Sequence, residues 1–395
     1  MDRPGLLHWF PVGGLTVASA ILVAAGCTRE DNTPLQQGQT LDRVASFLEA
    51  HWASPRKGHA SAAASAAHSD LDPASCGTCH KAQYDDWRGS LHARTMGPGV
   101  LGQLVSMSDG ERHECQRCHA PLDEQADPRS PLFSQGLICA ACHVRGGRVF
   151  GPARRDGSSP APNSGAAHGG GTASSAFEDS RFCAICHQFE PDGYALNGKL
   201  LENTYEEWKA SVHAREGRNC QSCHMPGRRH LWRGIHDPAM TRAAIAVRME
   251  RILAGAGEIQ ASWRLGNVGA GHYFPTYVTP RVIVAIWQEA ADGRMLPGTL
   301  REQLIARQVT LDLGEELSDT RLAPGEERAF EYKAQHHARA THLALEIRVE
   351  PDAFYTELYR SLLKDGSGAR AQIGQALRES LASRYTAYNE RQALR

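Results

Sequence analysis

Alternation of apolar and polar residues is clearest in the last third of the chain. After Met240, four segments largely alternate in this way, and turn signals separate them at Asn267-Val268-Gly269, Asp292-Gly293 and Pro324-Gly325. Such alternation is typical of half-buried strands, and it predicts strands at 258–265, 281–288, 327–333 and 341–349. We therefore predict a β-sandwich-like domain over residues 246–350.

Helical spacing of apolar residues occurs near both ends of the chain. Leu41, Val44, Leu48 and Trp52 predict a helix at 41–52, and the spacing of Phe354, Leu358 and Leu362 and then of Leu377, Leu381 and Tyr385 predicts that residues 351–395 are helical. The Ala/Ser-rich run GHASAAASAAHS at 58–69 is typical of a flexible spacer. Residues 27–75 are therefore predicted to form a tether, with His51, His59 and His68 in solvent.

Composition narrows the class of protein. The 395 residues have a formal charge of −1, from 43 Lys+Arg and 44 Asp+Glu, and 41% of them are hydrophobic. These values exclude a disordered chain, a strongly basic chain and a polytopic membrane protein, and we expect no nucleic-acid partner. The unusual counts are 11 cysteines and 19 histidines.

Ten of the eleven cysteines form five C-x-x-C pairs, and a histidine follows each pair at once. This is the attachment signature of c-type haem, in which two thiols bond to the vinyl groups and the histidine becomes the proximal iron ligand. We predict five covalent haem c groups and number the motifs one to five along the chain. The attachment cysteines are Cys76, Cys79, Cys115, Cys118, Cys139, Cys142, Cys183, Cys186, Cys220 and Cys223, and the proximal ligands are His80, His119, His143, His187 and His224.

Two other uses of C-x-x-C pairs fit less well. Zinc sites are built from such pairs, but zinc does not explain why all five pairs end in histidine. A thioredoxin-like redox motif would need one pair in a βαβ context.

The density of the motifs predicts the architecture around them. From Cys76 to His224 the chain has 149 residues for five haems, too few to build an ordinary apolar core around each. The fold class predicted is a mainly α and irregular multihaem domain at 76–245, with the haems as its core, followed by the β-sandwich-like domain and C-terminal helices. The Gly/Ser/Pro/Ala-rich run at 151–175 is expected to be irregular.

An internal repeat indicates distal iron ligands. Residues 84–95 (YDDWRGSLHART) and 205–216 (YEEWKASVHARE) align without a gap and place His92 and His213 equivalently, after an apolar helix face. Bis-histidine coordination is expected for most haems, because six other histidines lie between Cys76 and Met240 for at most five positions. The distal candidates are His92, His168, His213, His230 and His236, with His113 and His272 in reserve.

The N-terminus has the features of an export signal. An apolar run at 12–25 follows Arg3 and is too short for a transmembrane helix, so residues 1–26 are predicted to be a signal peptide. Ala24-Ala25-Gly26-Cys27 resembles the lipobox of bacterial lipoproteins, except that Ala24 stands where leucine is usual. We predict lipidation of Cys27 and anchoring to an outer membrane; the alternative is that Cys27 is removed with the signal peptide.

Several stretches together resemble bacterial multihaem c-type cytochromes, the group that includes pentahaem nitrite reductase and octahaem hydroxylamine oxidoreductase. They are GLICAACHVRGG at 136–147, FCAICHQF at 182–189, the two Y-x-x-W-x-x-S-x-H-A units, and CQSCHMP with RRHLWRGIHDP at 220–238. GHYFPT at 271–276 is similar to a segment of β domains appended to such cytochromes. The C-x-x-C-K motif of the pentahaem nitrite reductases is missing, so the resemblance does not imply nitrite reduction of that kind.

Three functions follow from this reading. The first is extracytoplasmic electron transfer to and from redox partner proteins. The second is an oxidoreductase of a small nitrogen or sulfur compound, in which one haem keeps an open distal position. The third is an interaction protein whose β domain docks a partner; that domain could equally be a structural cap.

Overall fold

The computed structural model describes residues 37–53, 56–58, 71–156, 170–255, 257–366 and 368–394. The predicted signal peptide, Cys27, His59, His68 and His168 lie outside these residues. The helices are α1 (Gln37–Trp52), α2 (Pro73–Gly77), α3 (Lys81–Gly89), α4 (Pro98–Leu104), α5 (Asp109–His119), α6 (Cys139–His143), α7 (Arg181–His187), α8 (Thr204–Lys209), α9 (Val212–Arg215), α10 (Cys220–His224), α11 (Pro238–Ala244), α12 (Ala353–Lys364) and α13 (Arg370–Ala382). Within the described ranges, no helix is long and apolar enough to cross a bilayer.

The strands lie mainly after residue 244. They are β1 (Val144–Arg145), β2 (Arg148–Gly151), β3 (Thr172–Ala173), β4 (Ala195–Leu196), β5 (Lys199–Leu200), β6 (Ile245–Ala254), β7 (Glu258–Asn267), β8 (Arg281–Glu289), β9 (Arg301–Ile305), β10 (Arg307–Val309), β11 (Glu316–Asp319), β12 (Glu327–Gln335), β13 (His342–Glu350) and β14 (Tyr385–Ala393). The four predicted strands correspond to β7, β8, β12 and β13 and are confirmed.

Two antiparallel sheets share one apolar core in this region. Their strand orders are β12-β7-β6 and β14-β13-β8-β9. Inward side chains of both sheets, among them Trp263, Ile286, Phe330 and Leu345, form a single buried cluster. The cluster follows from the alternation in the sequence, because every second side chain of a strand faces the same side of its sheet.

The C-terminal segment differs from its predicted helical structure. Helices α12 and α13 form as expected, but residues 385–393 form β14, which pairs with β13. Ala387 lies in the core, and Tyr385 and Tyr388 pack against the same cluster. The predicted helix therefore ends with α13, before Tyr385. From Tyr385 onward, pairing with β13 determines the structure, although the apolar spacing is helical.

Small residues let the C-terminal helices approach the haem-motif region. An added Cβ at Gly99 of α4 would lie 2.0 Å from the Tyr359 hydroxyl of α12, and one at Gly102 would lie 2.6 Å from Ile373 of α13. The backbone of α4 can therefore lie directly against α12 and α13.

The predicted tether is partly a packed element. Helix α1 forms where the spacing predicts it, but Val44 and Trp52 are buried with Phe182 of α7 and with Ala176. His51 is 3% exposed, and the prediction that it lies in solvent is wrong. Its ring stacks on Phe47, and its Nε2 lies 2.9 Å from the Cys142 carbonyl. Residues 37–52 are therefore part of the folded body.

Candidate haem-binding site

Each of the last four motifs forms a short helix that ends at its histidine. Helix α5 ends at His119, α6 at His143, α7 at His187 and α10 at His224. In a helix, cysteines three residues apart lie on one face, so both thiols point to the same side as the chain reaches the histidine. Every motif contains at least one free thiol, so none is closed by a disulfide between its own two cysteines.

Thiols of different motifs lie against one another. A hydrogen bond to Cys76 raises the pKa of the Cys139 thiol, and one to Cys220 does the same for the pKa of Cys183. The fourth motif also meets the second, since the Cys186 thiol lowers the pKa of Cys118 to about 7. The attachment points therefore form two groups of adjacent motifs: the first with the third, and the fourth with the second and the fifth.

Four motif histidines have Nδ1 hydrogen-bonded to an oxygen of the protein. The partners are the Thr95 carbonyl for His119 (2.7 Å), the Phe150 carbonyl for His143 (2.8 Å), the Arg233 carbonyl for His224 (2.5 Å) and the Tyr277 hydroxyl for His187 (2.5 Å). A carbonyl can only accept, so it places the proton on Nδ1 and leaves Nε2 as the metal-binding nitrogen, which is the usual outer-shell arrangement of a ligand histidine; the Tyr277 hydroxyl can accept from His187 in the same way.

Three motif histidines face a second imidazole across a gap that fits one iron. An imidazole nitrogen binds a first-row metal at about 2.0 Å, so two imidazoles on opposite sides of one iron have ring centroids about 6.3 Å apart. The observed centroid distances are 6.1 Å for His143 and His230, 6.3 Å for His224 and His272, and 6.4 Å for His187 and His92. The residues present therefore fit bis-histidine haem.

Burial keeps these imidazoles neutral. Desolvation lowers the pKa of His92 to about 3 and the pKa of His143 and of His187 to about 4, and it also lowers the pKa of His224, His230 and His272. Neutral imidazole is the form that binds iron, so the burial suits ligation.

The other distal candidates do not face a motif histidine. His213 is buried beside Gly271, and His236 bonds through Nε2 to both carboxylate oxygens of Asp352 at 3.0 Å. His113 is exposed and bonded to the Asp109 carbonyl, and His168 lies outside the described residues. Among the described residues, no second imidazole faces His119 in the way that the three pairs do.

Two site residues come from the loop between β7 and β8. His272, a reserve candidate, faces His224, and Tyr277 bonds His187; the sequence reading had not singled out Tyr277. The Glu207 carboxylate of α8 holds this loop by accepting from the Tyr273 amide and the Thr276 hydroxyl. The β domain therefore contributes residues to two of the five motif sites. In the sequence, the run GHYFPTYV, with a histidine and three aromatic residues between two predicted strands, is the pattern that could have indicated this loop.

Trp232 joins two of the facing pairs. Its ring centroid lies 4.6 Å from that of His92 and 5.1 Å from that of His230. Its φ is +41°, a conformation that costs a bulky residue on the order of 1–3 kcal/mol. The surrounding contacts, including those with the two distal imidazoles, must offset this cost, and the RRHLW segment did not reveal this placement by itself.

Two side chains that can donate a proton, Glu202 and Tyr355, lie near the second motif. Burial raises the pKa of Glu202 to about 8, and the Cys118 and Glu207 charges add to this effect. Its Oε2 is buried without a hydrogen-bond partner in the described part of the chain. Burial also raises the pKa of Tyr355, with smaller contributions from Glu202 and Cys115. A protonated carboxyl and a phenol thus lie close to the attachment point of the second haem.

We expect Glu202→Gln to remove one source of alkaline destabilisation. The raised pKa means that the folded chain holds this proton more tightly than the unfolded chain, so its stabilisation is complete below pH 4.5 and is lost as pH rises to about 8. At pH 9 the variant should be more stable than the wild type, by no more than about 5 kcal/mol, and at pH 4 the two should be equal. Thermal melts at both pH values check this, with the exposed Glu206→Gln as control.

The comparisons with known proteins agree with this geometry. Residues 75–146 match the family described as cytochrome c554 and c-prime. A penta-heme cytochrome c552 from Thermochromatium tepidum is similar in structure, with a TM-score of 0.59 and 19% identity over 81% of this chain and 97% of that one. A β-glucosidase from Kluyveromyces marxianus (TM-score 0.16, 10% identity, 28% of this chain and 12% of that one) and a putative ApaA protein from Bordetella pertussis (TM-score 0.16, 13% identity, 27% and 76%) are too distant to carry an argument.

No curated protein sequence matches the chain. The family match covers the first three motifs, and the likeness to the cytochrome c552 extends over most of the chain. The chain thus has the fold of a penta-heme cytochrome, and its residues 75–146 match a cytochrome c family.

Proposed function

We propose that this protein transfers electrons through five covalently bound c-type haems, on the outer side of a bacterial membrane. The observation that carries the proposal is the set of three facing imidazole pairs at centroid distances of 6.1–6.4 Å. Each haem, when bound, supplies one iron that alternates between the ferric and ferrous states and so carries one electron. His92, His230 and His272 would hold the distal sides of the fourth, third and fifth haems.

The chain's own residues perform two tasks in this function. The fold places attachment points of different motifs side by side, the first beside the third and the fourth beside the second and the fifth, so that electrons need cross only short gaps within each group. The buried imidazoles exclude water from the irons that they hold, which disfavours binding of exogenous ligands.

Haem counting and spin-state spectroscopy test the proposal. We expect pyridine haemochrome analysis with intact mass to give five haems per chain, and electron paramagnetic resonance of the oxidised protein to show at least three low-spin bis-histidine signals. Fewer than five covalent haems, or a spectrum dominated by high-spin iron, would contradict it.

A second candidate function rests on the residues near the second motif. Glu202 and Tyr355 could donate protons to a small nitrogen or sulfur compound bound at that haem, which would make the protein an oxidoreductase. Rapid cyanide binding by one haem in five would favour this function, and its absence would favour the pure carrier.

Membrane attachment and partners complete the proposal. A lipid on Cys27 would anchor the protein to an outer membrane, where it would exchange electrons with other redox proteins. Palmitate labelling tests the anchor, and the expected result is a labelled mature protein that loses its label in Cys27→Ser.

A further inference from the structure

A chain of hydrogen bonds leads from one motif histidine to a buried carboxylate. His187 Nδ1 lies 2.5 Å from the Tyr277 hydroxyl, which is hydrogen-bonded to Thr204. The Thr204 and Thr276 hydroxyl oxygens are 2.7 Å apart, and the Thr276 hydroxyl donates to Glu207 Oε2 at 2.9 Å. With His187 Nε2 turned to iron, each group in the chain donates to the next one, and the chain ends at the Glu207 carboxylate.

We call this chain of hydrogen bonds from His187 to Glu207 the relay. Glu207 is its one carboxylate, and charges of both signs surround that carboxylate. Its side chain is 4% exposed, and its Oε1 accepts from Arg321 at 3.2 Å. Arg321 also bonds Asp319, which in turn bonds Lys199. Burial raises the pKa of Glu207, although Arg321, Thr276 and the Tyr273 amide oppose the shift. Glu202 is the other carboxyl that interacts with Glu207.

The far side of Glu207 opens to a polar cavity. The cavity has a volume of about 410 Å³, and its charged and phenolic lining is Lys199, Glu207, Tyr273, Asp319, Arg321 and Glu326. Protons can therefore reach the buried carboxylate from solvent on one side, while the hydroxyl relay connects it to His187 on the other.

We propose that Glu207 is a redox-linked proton site, which takes up one proton from this cavity when the haem held by His187 gains one electron. The inference rests on the proposed electron-transfer function. The electron comes from a one-electron donor, the proton comes from water, and the only bond formed in the protein is the O–H bond of the carboxyl group. The iron site loses one unit of positive charge and the carboxylate loses its negative charge, so the buried region keeps its net charge.

Electrostatics explains why uptake accompanies reduction. Adding an electron to a buried site makes a nearby anion less favourable, and the penalty is large because little water screens it. The relay transmits this effect, since a ferric iron polarises the His187 Nδ1–H toward Tyr277 and the successive hydroxyls toward Glu207. Reduction weakens that polarisation and so favours the protonated acid.

Spectroelectrochemical titration of the intact holoprotein at several pH values tests the proposal. In the pH range where Glu207 takes up its proton on reduction, we expect the reduced-to-oxidised ratio of one of the five redox components to change about tenfold per pH unit at fixed potential. This corresponds to a change of about 59 mV per pH unit in the reduction potential of a one-electron couple. Glu207→Gln should make that component independent of pH, while the exposed Glu206→Gln, on the same helix, should behave as the wild type. A pH indicator in weak buffer should show proton uptake on reduction in the wild type and its loss in Glu207→Gln.

Thr204→Val provides a second test that leaves the Glu207–Arg321 pair in place. It interrupts the relay at its middle, and we expect the tenfold change to fall below about threefold. Unchanged pH dependence in both Glu207→Gln and Thr204→Val would overturn the proposal, as would a wild type without any pH-linked component. Failure of the electron-transfer function is distinguishable from this, because it would appear as high-spin iron in the unaltered protein.

Discussion

Replacing His272 with alanine should convert one low-spin haem of the oxidised protein to high-spin. His272 is the imidazole that faces His224 at 6.3 Å, so its removal opens the distal side of the fifth haem. Electron paramagnetic resonance should show the loss of one bis-histidine signal, and cyanide should bind one more site per chain than in the wild type. Because His272 belongs to the loop between β7 and β8, this result would also show that the β domain completes a haem site.

His113→Ala provides the matched control. His113 is exposed and bonded to the backbone of its own helix, so its removal should leave every spin state unchanged. A His272→Ala protein with the wild-type spectrum would exclude His272 as an iron ligand.

Arg307→Leu should lower the free energy of unfolding by about 3–5 kcal/mol. The Arg307 side chain is 1% exposed, and it pairs with Glu316 while donating to the carbonyls of Leu196, Lys199 and Leu200. It thereby joins the β4–β5 hairpin to β10 and β11. Leucine would fill part of the space but would leave three carbonyls and a buried carboxylate without this donor, and buried groups without partners are costly.

Thermal or denaturant unfolding of the holoprotein measures the loss. Arg301→Leu is the control, because Arg301 is exposed on β9 and its hydrogen bonds to described residues go to the nearby carbonyls of Gly298 and Leu300; it should change stability by less than about 0.5 kcal/mol. If Arg307→Leu were as stable as Arg301→Leu, the bonds of Arg307 between the β4–β5 hairpin and strands β10 and β11 would not stabilise the fold.

Features encoded locally were predictable from the sequence. A C-x-x-C-H motif is complete within five residues, and a strand shows its inward face by alternation, so the motifs and β7, β8, β12 and β13 could be read directly. The edge strand β6 was harder to predict, since its side chains are mostly exposed or half-buried.

The distal ligands depend on contacts between distant segments, which no local pattern encodes. The two copies of the Y-x-x-W-x-x-S-x-H-A repeat have similar local structure, yet His92 faces His187 while His213 lies beside Gly271. The same unit therefore has two tertiary environments. His272 lies 48 positions after its facing histidine and within the β region, so spacing alone could not select it over His236.

The packing of α1 would shorten the link between the folded body and a lipid on Cys27. The helix begins at Gln37 and is held against α7, so it belongs to the body that carries the third and fourth motifs. If Cys27 carries a lipid, only ten residue steps separate the lipid from α1, and a fully extended chain spans at most about 3.6 Å per step. The first residue of α1 would then remain within roughly 36 Å of the bilayer surface, and the body packed on α1 would be held near the membrane.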